Sequence, residues 1–236
     1  MKYHKLVENA KKPSGFWGKL MIRSMNKGHG ELTDWALCHV TVQPDDVILD
    51  VGCGGGKTVD KLCKRISNGK VYGVDYSELC VKKSESLNHK NVICGKARIL
   101  QASVSELPFE DDKFNLVTAI ETYYFWPDKP GDLKEIFRTL APGGRLMLAF
   151  EMVRDSENPD KWKSVEDRLG IKAVDPEELK KRAFVRRLWR DQAFFKRRKG
   201  LAVRRCAKGV NYESVDYGRK LGNRQRNRKI SCFNGI

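Results

Sequence analysis

The sequence predicts a doubly wound α/β fold on a mainly parallel sheet, and three observations indicate it. Short apolar runs alternate with amphipathic stretches between residues 45 and 152. The predicted strands are apolar almost throughout, as in a parallel sheet that helices cover on both faces. A chain of 236 residues is long enough for one sizeable core and short for two. We therefore expect one α/β domain with an extension at each end.

The first half of the predicted sheet follows from periodicity. The run "DDVILDV" at 45–51 predicts a buried strand, and "GKTVDKLCKRI" at 56–66 has four apolar residues at helical spacing. A second strand follows at 70–75. The next helix, at 77–87, begins with Ser77 as a predicted N-cap.

The second half of the predicted sheet contains three more strands. They lie at 97–102, 114–121 and 145–152. A helix at 132–140 precedes the last strand, and Ala-Pro-Gly-Gly is predicted to stop it.

The chain divides into three predicted parts. Residues 1–43 form an N-terminal helical extension, with "GFWGKLMIRSM" and "GELTDWALCHV" as its two helices. Residues 44–181 contain the sheet, and their last helix begins with Asp175 as N-cap and Pro176 in the first turn. Residues 182–236 form an atypical basic tail.

Positive charge is concentrated in that tail. The whole chain has a net charge of +16, but the 17 basic and 3 acidic residues from Arg182 onward give +14. The near-neutral residues 1–181 lack the basic footprint of a nucleic-acid-binding surface. A nucleic-acid partner is therefore unexpected for residues 1–181 and stays open for the tail.

Three interpretations of the tail stay open. It is a basic arm for RNA, anionic lipid or an acidic partner, an idiosyncratic surface, or an out-of-frame translation product. One permitted codon choice for 183–210, read one base later, gives LLSGGFGEIKLFSKEEKGWLCVVAQKE and then a stop. That string reads as a strand EIKLF, a charged turn and a final strand WLCVVA, so a frameshift would remove these segments and destabilise the fold.

Composition bears on location and on metal binding. Seven cysteines occur without a C-x-x-C pair, which favours reduced thiols over a disulfide framework or a zinc site, so we predict no metal. No apolar run approaches the ~18 residues that span a bilayer, and the N-terminus lacks a secretory apolar region. We expect a cytoplasmic location.

Glycines mark a predicted ligand site. The stretch "VILDVGCGGGKTVDKL" ends a strand on an acid and then has four glycines in five positions. This turn lies at the carboxyl end of a strand and the start of a helix, where N–H groups face outward and ligands of such sheets bind. Asp75 ends the second strand, 23 residues after Gly52, and is suited to bonding both hydroxyls of a ribose. A dinucleotide fingerprint would need a small residue where Lys57 stands, which weakens that alternative.

Four segments in order resemble the class I S-adenosylmethionine-dependent methyltransferases, of the small-molecule, methyltransferase type 11-like branch. Asp50, Gly52, Gly54 and Gly56 match the pattern D-x-G-x-G-x-G, and "VYGVDYSE" resembles the second motif. "ASVSELPFEDDKFNLV" and "LAPGGRLML" resemble the later ones, over residues 40–152 in all. The resemblance implies a Rossmann-like sheet, S-adenosyl-L-methionine as cofactor and a small-molecule methyl acceptor.

The resemblance also implies roles for single residues. Gly52 and Gly54 would contact the amino-acid end of the cofactor, Asp75 the ribose and Tyr76 the adenine face. Ser103 stands where many relatives have an acid. Glu121 would face the methionine end or the acceptor, with a solvated acid at a strand end as the alternative. The implied cofactor-binding residues are Asp50, Gly52, Gly54, Gly56, Asp75, Tyr76, Ser103, Val104 and Glu121.

The sequence gives a less specific signal for the residues that bind the methyl acceptor. The segment "ETYYFWPDK" follows the fourth strand, and its aromatic cluster is placed to wall a pocket or to stack on the sulfonium, with core packing as the alternative. The N-terminal extension is a candidate lid through Trp17, Met25, Asn26 and His29. The catalytic residues stay unassigned, with Glu121, His29 and Tyr124 as candidate bases for an oxygen or carbon acceptor. The predicted substrate-binding residues are His29, Tyr123, Tyr124 and Trp126.

Three function classes follow. A small-molecule methyltransferase is favoured by the near-neutral body. An RNA or protein methyltransferase would use the basic tail. A non-catalytic or degenerate cofactor-binding protein is the third possibility.

Overall fold

A computed structural model describes residues 12–179, 192–197 and 200–203 of the chain. Its strands are β1 (Val47–Val51), β2 (Lys70–Asp75), β3 (Ala97–Gln101), β4 (Phe114–Ile120), β5 (Leu140–Phe150), β6 (Gln192–Arg197) and β7 (Gly200–Val203). The helices of this part are α1 (Gly15–Gly28), α2 (Gly30–Cys38), α3 (Lys57–Cys63), α4 (Glu78–Leu87), α5 (His89–Ile93), α6 (Lys129–Thr139) and α7 (Lys163–Leu169), and residues 176–179 are helical as well. A 3₁₀ helix spans Tyr123–Phe125.

The strands form one sheet in the order β3-β2-β1-β4-β5-β6-β7. All neighbours from β3 to β6 run parallel, and β7 runs antiparallel to β6. The chain winds outward from β1 to β3 and then returns to add β4 on the other side of β1. This reversal opens a crevice at the carboxyl ends of β1 and β4, and it confirms the predicted doubly wound fold.

Two predicted helix caps are confirmed. The Ser77 hydroxyl accepts a hydrogen bond from the N–H of Cys80 at 3.4 Å, where α4 begins. The Asp175 carboxylate accepts hydrogen bonds from the N–H groups of Glu177 and Glu178 at 2.9 and 3.2 Å. These side chains satisfy donors that a first helical turn leaves unpaired.

Some elements differ from the predictions. Strand β5 begins at Leu140, so Ala-Pro-Gly-Gly lies inside the strand and not in a separate turn, and the pairing with β4 shifts register between Phe114 and Leu116. The helix before it begins at Lys129, with proline in its first turn. The short helices α5 and α7 and the 3₁₀ helix were not predicted, because segments of three to seven residues are too short to show a helical period.

A hydrophobic core lies on each face of the sheet. One contains Phe114 and Phe150, both fully buried. Phe109 packs edge-on against Phe114 with ring centroids 4.9 Å apart, so both are core residues. The other core holds Ile48 and Leu116.

The tail contributes two strands of backbone to the described part. Met147–Phe150 of β5 lie opposite Gln192–Phe195 of β6. Most of the tail, from 204 to 236, lies outside the described residues, so the domain boundaries and the three interpretations of the tail stay predictions. Among the helices of the described part, none is both long enough and apolar enough to cross a membrane.

Candidate cofactor and acceptor site

The glycine loop between β1 and α3 is held in a left-handed conformation against β2. Gly52 and Gly54 have φ angles of 71° and 51°. The N–H groups of Gly52 and Cys53 donate to the carbonyl of Val74 at 2.8 and 2.9 Å, which fixes the loop to the end of β2. A Cβ on Gly52 would lie 2.4 Å from Cγ2 of Thr122, whereas one on Gly54 would meet nothing within 4 Å. The bare backbone at Gly54 therefore faces open space.

Two predicted cofactor residues lie behind this loop and not on the cleft. A Cβ on Gly56 would come within 2.5 Å of the hydroxyl oxygen of Ser84. Asp50 is buried and accepts a hydrogen bond from the hydroxyl of Thr118 at 2.6 Å. Burial raises the pKa of Asp50 to about 7. Asp50 thus links β1 to β4, and Gly56 packs closely against α4.

Asp75 ends β2 beside the loop, as predicted. Its Oδ2 accepts a hydrogen bond from the N–H of Gly54 and its Oδ1 one from Ser77, both at 2.9 Å. Burial raises the pKa of this carboxyl, while the two N–H donors act in the opposite direction. A carboxylate oxygen accepts more than one hydrogen bond, so both oxygens can still accept from a ligand.

A cleft of about 330 Å³ opens at this edge of the sheet. It has the size of a small-molecule site. A second pocket of about 70 Å³ adjoins it and includes His29. The two share residues of the loop and Glu121. The predicted residues that line the main cleft are Gly52, Gly54, Asp75, Tyr76, Ser103, Val104, Glu121, Tyr124 and Trp126.

Glu121, at the carboxyl end of β4, has an unusual backbone and a well-held carboxylate. Its φ of 60° is rare for a residue with a side chain, and such strain is concentrated at functional sites. Its Oε1 accepts hydrogen bonds from the hydroxyl of Tyr124, at 3.0 Å, and from the N–H of Glu151. The Tyr124 hydroxyl in turn accepts from the N–H of Met152 at 2.9 Å. Burial raises the pKa of Glu121 to about 7, and the charge of Glu151 adds to this rise.

The three candidate bases differ in protonation. Burial raises the pKa of Tyr124 well above its usual value of 10, so its hydroxyl stays protonated and acts as a donor to Glu121. Burial lowers the pKa of His29 and so favours the neutral imidazole, whereas the charge of Glu151 raises this pKa. Burial raises the pKa of Glu121 to about 7, so this carboxyl changes charge near neutral pH.

The aromatic cluster after β4 divides between core and cleft. Tyr123 is 3% exposed, does not line the cleft, and packs against Trp126 and Phe150 with ring centroids 5.0 and 5.9 Å apart. Tyr124 and Trp126 line the cleft, together with Phe125. Tyr123, a predicted substrate-binding residue, therefore packs in the core and does not line the cleft.

The N-terminal extension borders the cleft. The hydroxyl of Ser77 donates to the carbonyl of Pro13 at 2.7 Å, which ties the segment just before α1 to the start of α4. Pro13 and Met25 line the cleft. Trp17 is 48% exposed and lines neither pocket, and the Asn26 side chain lies outside what is described. A lid movement of this extension stays a prediction.

Some cleft residues had no sequence signal. Thr122 lines the cleft and lies close to Gly52 of the loop, and Gly170 and Ile171, after α7, also line the cleft. Cys53, inside the loop, is buried, and burial raises the pKa of its thiol well above the usual value, so it fills space. No group of three His, Cys, Asp or Glu side chains in the described part is arranged to hold a metal ion.

Comparison with known proteins identifies the family of the domain that contains this site. Residues 49–148 match the family model described as a methyltransferase domain. The chain carries a class I S-adenosylmethionine-dependent methyltransferase domain. The methyltransferase domain thus spans the sheet from β1 to β5 and contains the loop, Asp75 and Glu121.

Related proteins cover the domain and little more. The chain is 28% identical over 133 residues to the uncharacterized methyltransferase YdaC of Bacillus subtilis (strain 168), covering 56% of this chain and 71% of that protein. It is 35% identical over 144 residues to cycloartenol-C-24-methyltransferase 1 of Oryza sativa subsp. japonica, covering 61% of this chain and 41% of that protein. The chain thus spans less than half the length of the rice protein.

A solved structure shares the fold. Geranyl diphosphate C-methyltransferase from Streptomyces coelicolor A3(2), in complex with Mg²⁺, geranyl diphosphate and S-adenosyl-L-homocysteine, superimposes with a TM-score of 0.59. The identity is 18%, and the match covers 72% of this chain and 64% of that one. At this identity the likeness concerns the fold alone.

Proposed function

We propose that the chain binds S-adenosyl-L-methionine in the cleft and transfers its methyl group to a small, largely apolar acceptor. The observation that carries this proposal is the single cleft that joins the glycine loop, the Asp75 carboxylate and an aromatic wall. A dinucleotide or a phosphate ligand fits less well, because no Lys or Arg lines this cleft within the described residues.

The residues present fit the proposed cofactor. The Asp75 oxygens are placed to accept both ribose hydroxyls, and Tyr76, 39% exposed, offers its ring to the adenine. Ser103 and Val104 border the same end of the cleft. The bare backbone at Gly54 allows close approach of the amino-acid end. When bound, S-adenosyl-L-methionine supplies a methyl group activated by positively charged sulfur, and Asp75 and Glu121 give the cleft a matching negative charge.

The acceptor would lie against the apolar wall of the cleft. Tyr124, Phe125, Trp126 and Ile171 make this wall largely apolar. Such a surface favours an acceptor with an extended hydrophobic part. Aromatic faces also attract a cation, so the same wall suits a sulfonium.

Glu121 is the proposed proton acceptor for an oxygen or carbon nucleophile. Its carboxylate lines both pockets, and its pKa of about 7 is close to the pH at which a general base works best. The proton of the acceptor moves to a Glu121 oxygen as the acceptor atom gains the methyl group. The Tyr124 hydroxyl and the Glu151 N–H hold the carboxylate in position throughout.

Two measurements test the proposal. Titration calorimetry with S-adenosyl-L-methionine should show one bound equivalent per chain. Incubation with radiolabelled S-adenosyl-L-methionine and pools of small apolar metabolites should then transfer label to an organic-soluble product. Absence of binding would overturn the proposal. Label in RNA or protein would favour a macromolecular acceptor, and binding without any transfer would favour a non-catalytic protein.

A further inference from the structure

The outer face of α1 holds large apolar side chains in solvent. Phe16 and Leu20, one helical turn apart, are 76% and 53% exposed, and the neighbouring Trp17 is 48% exposed. Gly18 and Ile22 of the same helix are buried. The helix therefore packs through one face and leaves an apolar stripe on the other, which soluble surfaces rarely do without a partner.

A groove of about 910 Å³ lies between this stripe and α4. Leu87 of α4, 47% exposed, extends the apolar surface across it. No acidic residue lines the groove, and none of its basic residues forms an ion pair within the part of the chain described. The basic side chains of the groove are Lys19, Arg23, Lys57 and Lys83.

We propose that this surface docks on a membrane that contains anionic lipids. We call it the docking face and define it by Phe16, Lys19, Leu20, Arg23, Lys83 and Leu87. On an interfacial helix, apolar side chains enter the boundary between head groups and acyl chains while lysine and arginine contact anionic head groups. The docking face has this combination on two adjacent helices.

The composition of the docking face favours lipid over nucleic acid. Single-stranded nucleic acids bind through bases stacked on aromatic rings. Leu20 and Leu87 are aliphatic and offer no ring for stacking, yet they are as exposed as Trp17. Transfer of such aliphatic side chains from water into hydrocarbon is favourable.

Docking would bring the membrane close to the cleft. Met25, two residues after Arg23 on α1, lines the cleft, and Gly55 and Lys57 border both the groove and the smaller pocket. An apolar acceptor dissolved in the bilayer would then have a short path to the site. That last consequence rests on the proposed function, whereas docking itself does not.

Sedimentation of the full chain with lipid vesicles tests the proposal. Vesicles of phosphatidylcholine mixed with phosphatidylglycerol are compared with vesicles of phosphatidylcholine alone. The basic tail adds its own attraction to anionic lipid, so the comparison is made between full-length variants. Phe16→Gln combined with Leu20→Gln should weaken binding to the mixed vesicles by about tenfold or more, and Lys19→Glu combined with Arg23→Glu should do the same at low salt.

The matched control is Ile93→Gln on α5, an apolar side chain 72% exposed outside the groove, which should leave binding unchanged. Equal binding of the F16Q/L20Q variant and the parent chain would overturn the proposal and assign membrane attraction to the tail. Loss of RNA binding in that variant with vesicle binding intact would overturn it in favour of nucleic acid. If F16Q/L20Q unfolds at a lower temperature than the parent, vesicle binding by the K19E/R23E variant is used instead. Binding equal to that of the parent chain would then overturn the proposal.

Binding of S-adenosyl-L-methionine by the same variants separates the two proposals. None of the four substituted side chains lines the cleft, so calorimetry should give the parent affinity. Vesicle binding without any cofactor binding would leave docking intact and overturn the proposed function.

Discussion

The two sides of the cleft are built by different means. At the ends of β1 and β2, backbone geometry makes the site: Gly54 turns left-handed and donates its N–H to Asp75. At the end of β4, side chains make it: the Glu121 carboxylate is held by Tyr124 and by the N–H of Glu151. The first side depends on residues that lack side chains, and the second on hydrogen bonds between distant segments.

This difference suggests a division of roles. A bare backbone beside one carboxylate suits shape-selective binding, because it brings N–H groups and carbonyls directly to a ligand. A carboxylate with a pKa of about 7 suits proton transfer, because it changes charge near neutral pH. The following substitutions test the two sides separately, from the largest expected effect to the smallest.

Gly52→Ala should be the most destabilising change on the loop side. The new Cβ would lie 2.4 Å from Cγ2 of Thr122, at a φ of 71°. Left-handed strain of about 1–2 kcal/mol and overpacking of about 1–3 kcal/mol together lower the free energy of unfolding by roughly 2–5 kcal/mol. Urea denaturation measures this loss.

Gly54→Ala is the matched control for that steric argument. Its φ is also positive, at 51°, but its Cβ would meet nothing within 4 Å. It should therefore lose only the strain contribution and should instead weaken cofactor binding. Equal destabilisation by the two substitutions would contradict the contact between Gly52 and Thr122 as the cause.

Asp75→Ala should give the largest loss of affinity. The change removes charge-assisted hydrogen bonds worth roughly 1.5–3 kcal/mol, which corresponds to about a 10- to 150-fold weaker affinity for S-adenosyl-L-methionine. Asp75→Asn keeps one acceptor oxygen, so its affinity for S-adenosyl-L-methionine should lie between those of the parent chain and of Asp75→Ala. Titration calorimetry gives the affinities, and Asp45→Ala, an exposed acid outside the cleft, should bind like the parent. An unchanged affinity in Asp75→Ala would count against the assignment of the cleft.

The loop side could be predicted from sequence because its determinants are local. Strand β2 has the predicted bounds, and Asp75 lies beside Gly54 because parallel strands end at one edge. Ser77 caps α4 as predicted, because an N-cap needs only a hydroxyl just before the helix.

The β4 side could be predicted only in part. The position of Glu121 at a strand end followed from the sequence, but its partners did not. The N–H groups of Glu151 and Met152 come from the end of β5, and no pattern in the sequence indicates that register. Tyr123 and Tyr124 are identical neighbours, yet a three-residue turn sends one to the core and the other to the cleft.

Glu121→Gln should change the pH dependence of stability. The folded pKa of Glu121 is raised from 4.5 to about 7, so the folded state holds this proton more tightly than the unfolded state. The resulting stability is present below pH 4.5 and is lost as the pH rises through about 7. Because the carboxylate lines the cleft and meets water, we expect the free energy of unfolding to change by about 1–2 kcal/mol across this pH range.

The measurement is the free energy of urea unfolding of both proteins across this pH range. The parent should lose stability relative to the glutamine variant as the pH rises, because glutamine does not ionise. Asp50, whose pKa is also raised to about 7, is present in both proteins and contributes equally. Glu85→Gln, at an exposed position of α4 outside the cleft, is the control for the substitution itself. Parallel curves for Glu121→Gln and the parent would show that Glu121 is ionised normally.

Tyr124→Phe should have the smallest effect on stability and an informative one on the proton acceptor. The phenol links the N–H of Met152 to Glu121, so its removal leaves a buried N–H without that partner and lowers the free energy of unfolding by about 1 kcal/mol. Tyr72→Phe is the control, since its ring packs against Phe109 and Phe114 and its hydroxyl has no hydrogen bond within the described residues.

Loss of the Tyr124 hydroxyl also destabilises the ionised Glu121 carboxylate. The pKa of Glu121, followed through the pH dependence of turnover, should therefore rise further. If the pH dependence of turnover does not shift in Tyr124→Phe, Tyr124 serves packing alone. The Glu121 carboxylate would then be held by the Glu151 N–H without the tyrosine.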